Sequence, residues 1–372
     1  MRVGFDATPL LGARTGIGQY TAGLITALAR LSDGPYLRLV PFTWRGAAEL
    51  PAVAPTGPRL EVRTRRVPAR LLLESWSRTS FPTVELLAGN LEIFHGTNFV
   101  LPPMRRARGV VTVHDLAYLH HPQWVTEGSL RYRELVPRAL QRASVVCTVS
   151  ATVRRELLEA YPQVPAERVL VTPNGVPAAA FRATAPPLEQ RRRQGIPDRY
   201  VLFVGTLEPR KGLDTLLDAY RLLHARRQPA PPLLVVGGAG WGARPELHGL
   251  GPDVVRFTGY LPDEQVLRLM AGAELLAFPS RYEGFGIPPL EAFATGTPVL
   301  ASDLPVLREV LGAAASYAPI GDAEAWADAL TATLAAGRGT TEQVTARRHR
   351  ARLHSWDACA TAAMTAYRRA LA

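Results

Sequence analysis

What most constrains this 372-residue chain is a pattern that occurs twice: short, continuous Val/Leu-rich runs separated by segments whose apolar residues recur at helical spacing. A strand with one face in water alternates apolar and polar residues. Runs without alternation indicate a parallel sheet covered on both faces by helices. In the first half the pattern predicts strands over Arg2–Asp6, Leu37–Phe42, Leu91–His95, Gly109–His114, Ser144–Val149 and Val169–Thr172. Helices are predicted over Gly18–Leu31, Ser129–Arg142 and Ser150–Ala160. The Ala- and Pro-rich stretch Pro173–Gln194 interrupts the pattern, which then restarts. Strands follow at Tyr200–Val204, Pro232–Val236, Val254–Thr258, Leu275–Pro279 and Pro298–Ser302. Helices follow at Leu213–Ala225, Asp263–Ala271, Pro288–Thr295, Pro305–Leu311 and Asp322–Ala336. The expected architecture is therefore two successive doubly wound α/β units, residues 1–178 and 179–354. A final segment, 355–372, carries a helix at Trp356–Leu371 that crosses back onto the first unit. Open α/β sheets bind ligands beyond the carboxyl ends of their strands, so two such units facing across a cleft would concentrate function in the loops after strands.

Composition narrows the classes. At about 150 residues per domain the length calls for two domains, and 47% hydrophobic with 20% charged residues describes an ordinary globular chain. No stretch approaches the ~18 uninterrupted apolar residues of a membrane-spanning helix. The amino-terminal MRVGFDATPL reads as a buried strand and not a signal peptide. Cys147 and Cys359 lie far apart in apolar-patterned segments and read as reduced core residues. The expectation is a cytoplasmic protein. The net charge is +11, and residues 1–178 carry +8 of it, with 21 Arg against 13 acids. A basic half suits nucleic acid, an anionic membrane surface or a phosphorylated substrate. Zinc-finger spacing, basic-zipper heptads and the aromatic RNA-recognition signature are absent, so nucleic acid is not the expected partner. The tract Arg63–Trp76 suggests peripheral contact with an anionic membrane or a lipid-linked saccharide; a solvated basic helix explains it equally well.

The basic residues are arginines with one exception, Lys211. Lysine is a compact point charge where arginine is a planar fork, so the exception carries information only in context. The context is Val204-Gly205-Thr206-Leu207-Glu208-Pro209-Arg210-Lys211-Gly212-Leu213, after one strand and before a helix. Two adjacent cations at a strand's carboxyl end can cradle a diphosphate and stabilise it as it leaves. A surface helix start with two solvated charges is the plainer reading, and the placement of the sole lysine weighs against it.

A second motif is Arg-Tyr-Glu283-Gly-Phe285-Gly286-Ile287-Pro-Pro-Leu-Glu291, which follows the apolar run LLAFPS. Pro288 and Pro289 suit a first helical turn, and Gly284 and Gly286 let backbone approach a ligand. The helix start then offers N–H groups and a favourable dipole to a phosphate. Glu283 precedes that site and Glu291 is expected in the first helical turn. Either alone reads as a loop charge or a dipole complement. Together they make sense as acceptors for hydroxyls at the two ends of one ligand, a sugar and a ribose.

Other signals are weaker. Thr15-Gly16-Ile17-Gly18-Gln19-Tyr20 resembles a dinucleotide fingerprint only in part, because Thr21 stands where its third glycine belongs. His114-Asp115 ends the run VVTVHD; such a histidine is as often structural as functional. His95 has a weaker context and is left unassigned. Asn174-Gly175 reads first as a turn, and the backbone near Gly259-Tyr260 is a candidate for contact with a nucleotide base.

By these residues the chain resembles the family-4 retaining glycosyltransferases, whose signature is two glutamates separated by seven residues, as Glu283 and Glu291 are. The likeness covers Ser280 through Pro305, Gly205 with Arg210-Lys211-Gly212, Pro173 through Val176, His114-Asp115, the Gly16/Gly18 loop and the Trp356 helix. Residues 70–103 look loosely like the mannosyltransferase branch. The resemblance implies a GT-B fold of two Rossmann-like domains, with a nucleotide-diphosphate sugar held mainly on the second. Arg210 and Lys211 would neutralise the departing diphosphate and Glu291 would hold the ribose. Glu283, with the backbone of Phe285, Gly286 and Ile287, would hold the transferred sugar. His114 would lie near its hydroxymethyl group and Gly16 against the diphosphate. It also implies retention of configuration without a metal or other cofactor, in agreement with the absence of an Asp-x-Asp pair. The donor it suggests is GDP-mannose, with UDP-linked sugars left open; the acceptor is a saccharide or lipid-linked hydroxyl in surface polysaccharide or glycoconjugate synthesis.

Three other readings fit parts of the pattern: a nucleotide-sugar epimerase of the same fold, a binding module, and a basic nucleic-acid binder. A dinucleotide-dependent dehydrogenase is disfavoured by the incomplete glycine loop.

Overall fold

A computed structural model describes all residues of the chain except 13–15, 65–66, 229 and 242–245. Thr15 of the first glycine loop and two arginines of the Arg63–Trp76 tract lie outside the described residues. The chain divides into two compact units: Met1–Gly175 with Ser355–Ala372, and Val176–His354.

The first unit is built on seven parallel strands: β1 (Arg2–Asp6), β2 (Tyr36–Val40), β3 (Leu60–Val62), β4 (Ile93–Gly96), β5 (Arg108–Val113), β6 (Ala143–Thr148) and β7 (Val169–Val171). Their order is β3-β2-β1-β4-β5-β6-β7, so the direction of winding reverses between β1 and β4. The central strands are buried along nearly their whole length, as their unalternating sequences require. Helix Gly16–Arg30 turns Tyr20, Leu24, Ile25 and Leu28 inward. Helix Trp356–Leu371 belongs to this unit: it buries Cys359, Ala360, Ala363, Met364, Ala366 and Tyr367, a stripe of helical period. Its start is seated by two glycines. A Cβ on Gly23 would lie 2.3 Å from the Trp356 indole, and one on Gly175 would lie 2.3 Å from the Trp356 backbone nitrogen. Its far end supplies the Tyr367 hydroxyl, 2.8 Å from His95 Nδ1, while His95 Nε2 lies 2.8 Å from Thr112 Oγ1. Burial and nearby His114 push the His95 imidazole down to about 3. His95 is thus a neutral, satisfied core residue. Cys147 and Cys359 are free and buried in the same core.

The second unit has six parallel strands: β8 (Val201–Val204), β9 (Leu233–Val236), β10 (Val255–Gly259), β11 (Leu275–Phe278), β12 (Val299–Ser302) and β13 (Ser316–Ala318). The order is β10-β9-β8-β11-β12-β13, with the reversal between β8 and β11. β8 and β11 are the strands that lead into the two motifs.

Several elements differ from expectation. β3 and β13 are three-residue edge strands, too short and too exposed to carry an apolar run. Helix Thr341–Arg352 has no apolar stripe; Thr340 and Gln343 form a capping box at its start. It is fastened by arginines: Arg347 donates to the Gly296 carbonyl at 3.2 Å and also to that of Arg338, and Arg350 Nε donates to that of Val310 at 2.8 Å. Arg338 reaches the carbonyls of Ala271 and Ala273 at the end of helix Asp263–Gly272. The first unit uses the same device. Arg38 donates to the Ala88 carbonyl, Arg59 to Ser32, Arg142 to Leu101 and Trp76, Arg154 to Val169 and Ala166, and Arg168 to Leu140. Carbonyls left unpaired at helix ends are partly negative and accept such cations. These arginines are committed to holding the fold together, which weakens any inference from net charge to an anionic partner. No helix among the described residues is long and apolar enough to cross a membrane.

Candidate active site

The carboxyl ends of β8 and β11 bring the two motifs of the second unit together. After β8 the chain forms a turn, Pro209–Lys211, and then Gly212 at φ +65 starts helix Leu213–Ala225. A Cβ on Gly212 would lie 2.1 Å from the Pro279 carbonyl oxygen, so only glycine lets this turn press against the loop after β11. Lys211 Nζ donates to Glu283 Oε1 at 2.6 Å, and Arg210 reaches Glu283 Oε2 at 3.4 Å and Glu208 Oε1 at 2.8 Å. The lysine stem runs past Gly205, whose absent Cβ would sit 3.6 Å from Lys211 Cδ, and its ammonium stands 5.6 Å from the centre of the Phe278 ring. Burial by itself would raise the Glu283 carboxyl; Lys211 and Arg210 outweigh it and hold the group below the usual carboxylate range. Glu283 is therefore ionised, and both cations are engaged by carboxylates. Two positive and two negative groups compensate one another there.

Helix Ile287–Thr295 begins at Gly286, with φ +99 and ψ 63. A Cβ at Gly286 would come within 2.7 Å of Leu307 Cδ2. Because Pro288 and Pro289 carry no N–H, the donors at this helix start are those of Ile287 and the preceding glycine-containing loop. Phe285 and Ile287 are buried, and the Phe285 ring meets His354 edge-on at 5.5 Å. Glu291 is the fifth helical residue and stands in the second turn, a correction to the expected first. It faces inward at 8% exposure, so it does not serve as a solvated dipole complement. Burial, assisted by the negative charge of Asp263, pushes its carboxyl up to about 8. The two glutamates of the motif thus have opposite character: one held ionised by cations, the other protonated at neutral pH. Tyr260, just after β10, is 54% exposed, and its Cβ lies 3.8 Å from where a side chain on Gly238 would begin. Among the described residues no cluster of His, Cys, Asp and Glu could hold a metal ion.

Gly16 and His114 belong to the first unit. Gly16 is the exposed first residue of helix Gly16–Arg30, with open space where a side chain would project. His114 is buried after β5; its Nε2–H donates to the Thr97 carbonyl at 2.7 Å and its ring meets Tyr20 edge-on at 4.8 Å. Burial lowers its pKa against the opposing effect of the Thr97 carbonyl, so the ring is neutral and offers Nδ1 as an acceptor.

Two family models match, together spanning most of the chain: "Glycosyltransferase Family 4" over residues 14–180 and "Glycosyl transferases group 1" over residues 188–350. The O-antigen chain mannosyltransferase B of Escherichia coli is 32% identical over 99% of this chain and 100% of its own length. The chain belongs to the family-4 glycosyltransferases. The O-antigen chain mannosyltransferase RfbU of Salmonella typhimurium is 26% identical over 85% of this chain and 86% of its own. Among solved structures, sucrose-phosphate synthase from Thermosynechococcus elongatus superposes with a TM-score of 0.74 at 22% identity, covering 99% of this chain and 98% of its own. That likeness is one of fold, and the fold is GT-B.

Three features of this glycosyltransferase escaped sequence reasoning. Glu208, in the loop after β8, is the closest carboxylate partner of Arg210. Arg281, which precedes Glu283 by two residues, donates its side chain to the Pro209 carbonyl at 3.2 Å and its backbone N–H to that of Arg210 at 2.8 Å, tying the two motifs together. The third is the run Gly237-Gly238-Ala239-Gly240 after β9. A Cβ on Gly237 would lie 1.8 Å from the Gly205 carbonyl oxygen and one on Gly240 2.3 Å from that of Leu207, so this tract lies directly against the Gly205 loop. A cluster of three glycines after a buried strand was the available signal.

Proposed function

We propose that this glycosyltransferase moves mannose from GDP-mannose to a saccharide or lipid-linked hydroxyl, with retention of configuration and without a metal, in the assembly of a surface polysaccharide. The observation that carries the donor reading is the Arg210–Lys211–Glu283 cluster beside the helix start at Gly286–Ile287. An arriving diphosphate draws Lys211 and Arg210 onto its oxygens, and the freed Glu283 carboxylate accepts hydroxyls of the sugar. The cations then stabilise charge on the departing phosphate, the work a divalent ion would otherwise do. Glu291, buried and apart from those cations, receives the ribose hydroxyls, and Tyr260 stands by the base. In the first unit, His114 Nδ1 is the acceptor on offer to a sugar hydroxyl.

Mannose is supported by the likeness to two O-antigen mannosyltransferases, one of them over the full length of both chains. For retention, a double displacement needs a carboxylate nucleophile, and no residue is assigned to it. A front-face route, in which the leaving phosphate takes the proton of the incoming hydroxyl, requires none. Peripheral membrane contact is assigned to helix Ala69–Arg78, which buries Leu72 and Trp76 and leaves Leu71 67% exposed. The test is incubation with GDP-mannose and a mannoside acceptor in EDTA, with the product read by proton NMR. An α-linked product is expected; a β-linked product overturns retention, and epimerised donor without acceptor overturns transfer.

A further inference from the structure

Four buried polar groups of the first unit form one hydrogen-bonded chain to which sugar transfer assigns no task. The Tyr367 hydroxyl stands 2.8 Å from His95 Nδ1, His95 Nε2 stands 2.8 Å from Thr112 Oγ1, and Thr112 Oγ1 stands 2.9 Å from the Tyr20 hydroxyl. All four residues are fully buried. The chain runs from helix Trp356–Leu371 across β4 and β5 to helix Gly16–Arg30, through a core that also holds Val3, Phe5, Leu24 and Ile25. Apolar side chains could fill that space without desolvating four polar groups, and an internal hydrogen bond returns only about 1 kcal/mol net. What a satisfied polar chain adds is direction. It holds each ring at one angle where apolar packing tolerates several.

The chain ends against His114. Thr112 lies in β5 and His114 just after it, and alternate residues of an extended strand point to the same side. Tyr20 spans both, with its hydroxyl on Thr112 and its ring edge-on to the imidazole at 4.8 Å and 83°. Phe99 meets the same imidazole at 5.6 Å and 74°. The bond from His114 Nε2–H to the Thr97 carbonyl, 2.7 Å, fixes one edge of the ring. A single bond leaves a ring free to pivot, and the two aromatic neighbours remove that freedom. Tyr20 is also met by Trp356, 6.3 Å away between ring centres, at the start of the last helix. That helix therefore bears on Tyr20 from both of its ends, directly through Trp356 and by way of the chain through Tyr367.

We propose that helix Trp356–Leu371 aims the His114 imidazole by holding Tyr20, which makes Tyr20 and Tyr367 positioning residues for the group that receives a sugar hydroxyl. The order of action is Tyr367 to His95 to Thr112 to Tyr20, and from the Tyr20 ring to His114. Loss of either tyrosine hydroxyl leaves the apolar packing in place but frees the Tyr20 ring to turn, and with it the imidazole. The inference rests on His114's meeting the donor sugar, and it adds the device that orients it.

The experiment takes two readings on the full chain. Calorimetry without acceptor gives the ratio of the affinities for GDP-mannose and GDP, which isolates the sugar's share of binding. His114→Ala, Tyr20→Phe and Tyr367→Phe are each expected to lower that ratio by about threefold, the worth of one hydrogen bond. Tyr367→Phe carries the test where Tyr20→Phe does not fold. The double tyrosine variant is expected to fall no further than the lower of the two singles, because both cut one chain. Leu28→Ala, in the same core but outside the chain, is expected to lower stability and leave the ratio at its wild-type value. Long-range proton–nitrogen NMR without ligand reads the imidazole itself: a single neutral tautomer with its proton on Nε2 in the wild type, and a mixture of both tautomers in either tyrosine variant. A wild-type ratio in both tyrosine variants while His114→Ala lowers it, an equal fall in Leu28→Ala, or a His114 signal unchanged in both variants overturns the proposal. If His114→Ala itself leaves the ratio unmoved, the sugar contact of His114 is refuted, and the NMR signal alone decides whether the chain orients the ring.

Discussion

Glu291 allows the sharpest test of the donor site, because its protonation and its proposed ligand are coupled. Burial holds the free carboxyl at about 8, so at pH 7 roughly nine-tenths of the molecules carry it protonated. Two ribose hydroxyls donating to it favour the ionised form, so binding releases a proton. The ionised fraction rises from about 0.09 at pH 7 to about 0.5 at pH 8 and about 0.9 at pH 9, so affinity for a ribose-bearing nucleotide rises about tenfold over that range. The change is isolated by titration calorimetry with GDP and with its 2′,3′-dideoxy counterpart, in buffers of differing ionisation enthalpy. GDP should release close to one proton at pH 7 and the dideoxy form none, and Glu291→Gln should abolish the difference. The same residue sets a stability slope. A carboxyl raised from 4.5 to about 8 contributes stability that is fully present below pH 4.5 and lost as pH rises to 8. The loss is about 1.4 kcal/mol per pH unit within that window, and Glu291→Gln should flatten it. Equal proton release for GDP and its dideoxy form would refute the assignment of ribose to Glu291.

Other expectations follow from the same geometry. Lys211→Ala removes one charge-assisted contact, worth about 1.5–3 kcal/mol, so GDP should bind at least about tenfold more weakly by calorimetry. Gly286→Ala places a Cβ at φ +99 and against Leu307, and should cost the second unit about 1–3 kcal/mol, read from hydrogen exchange of β11 and β12. Tyr367→Phe leaves His95 Nδ1 unpaired and should cost the first unit about 1–3 kcal/mol, with exchange in the second unit unchanged.

The sequence disclosed those parts of the fold where burial dictates residue type. VLFV, LLVV and LLAF could only be central strands, because both their faces are covered. The edges β3 and β13 lack that constraint and left no signature. Helix Thr341–Arg352 was hidden for a different reason: it is attached by Arg347 and Arg350 through backbone carbonyls, and apolar periodicity cannot reveal such bonds. In the site, glycines and the solitary lysine marked the two loops, but pairing did not show. Nothing in the order of residues indicated that Lys211 and Glu283, 72 positions apart, neutralise one another, or that Arg281 binds the Pro209 turn. Nor could it place Glu291 in the second turn, since a helix can open one residue before its prolines as readily as at them.

The central claim concerns where the diphosphate lies, and a crystal structure of the full chain with GDP in EDTA addresses it directly. The account predicts phosphate oxygens within hydrogen-bonding distance of Lys211 Nζ and the Arg210 guanidinium, Glu283 released from Lys211, and the ribose on Glu291. A nucleotide bound elsewhere, with the Lys211–Glu283 pair intact, would contradict it.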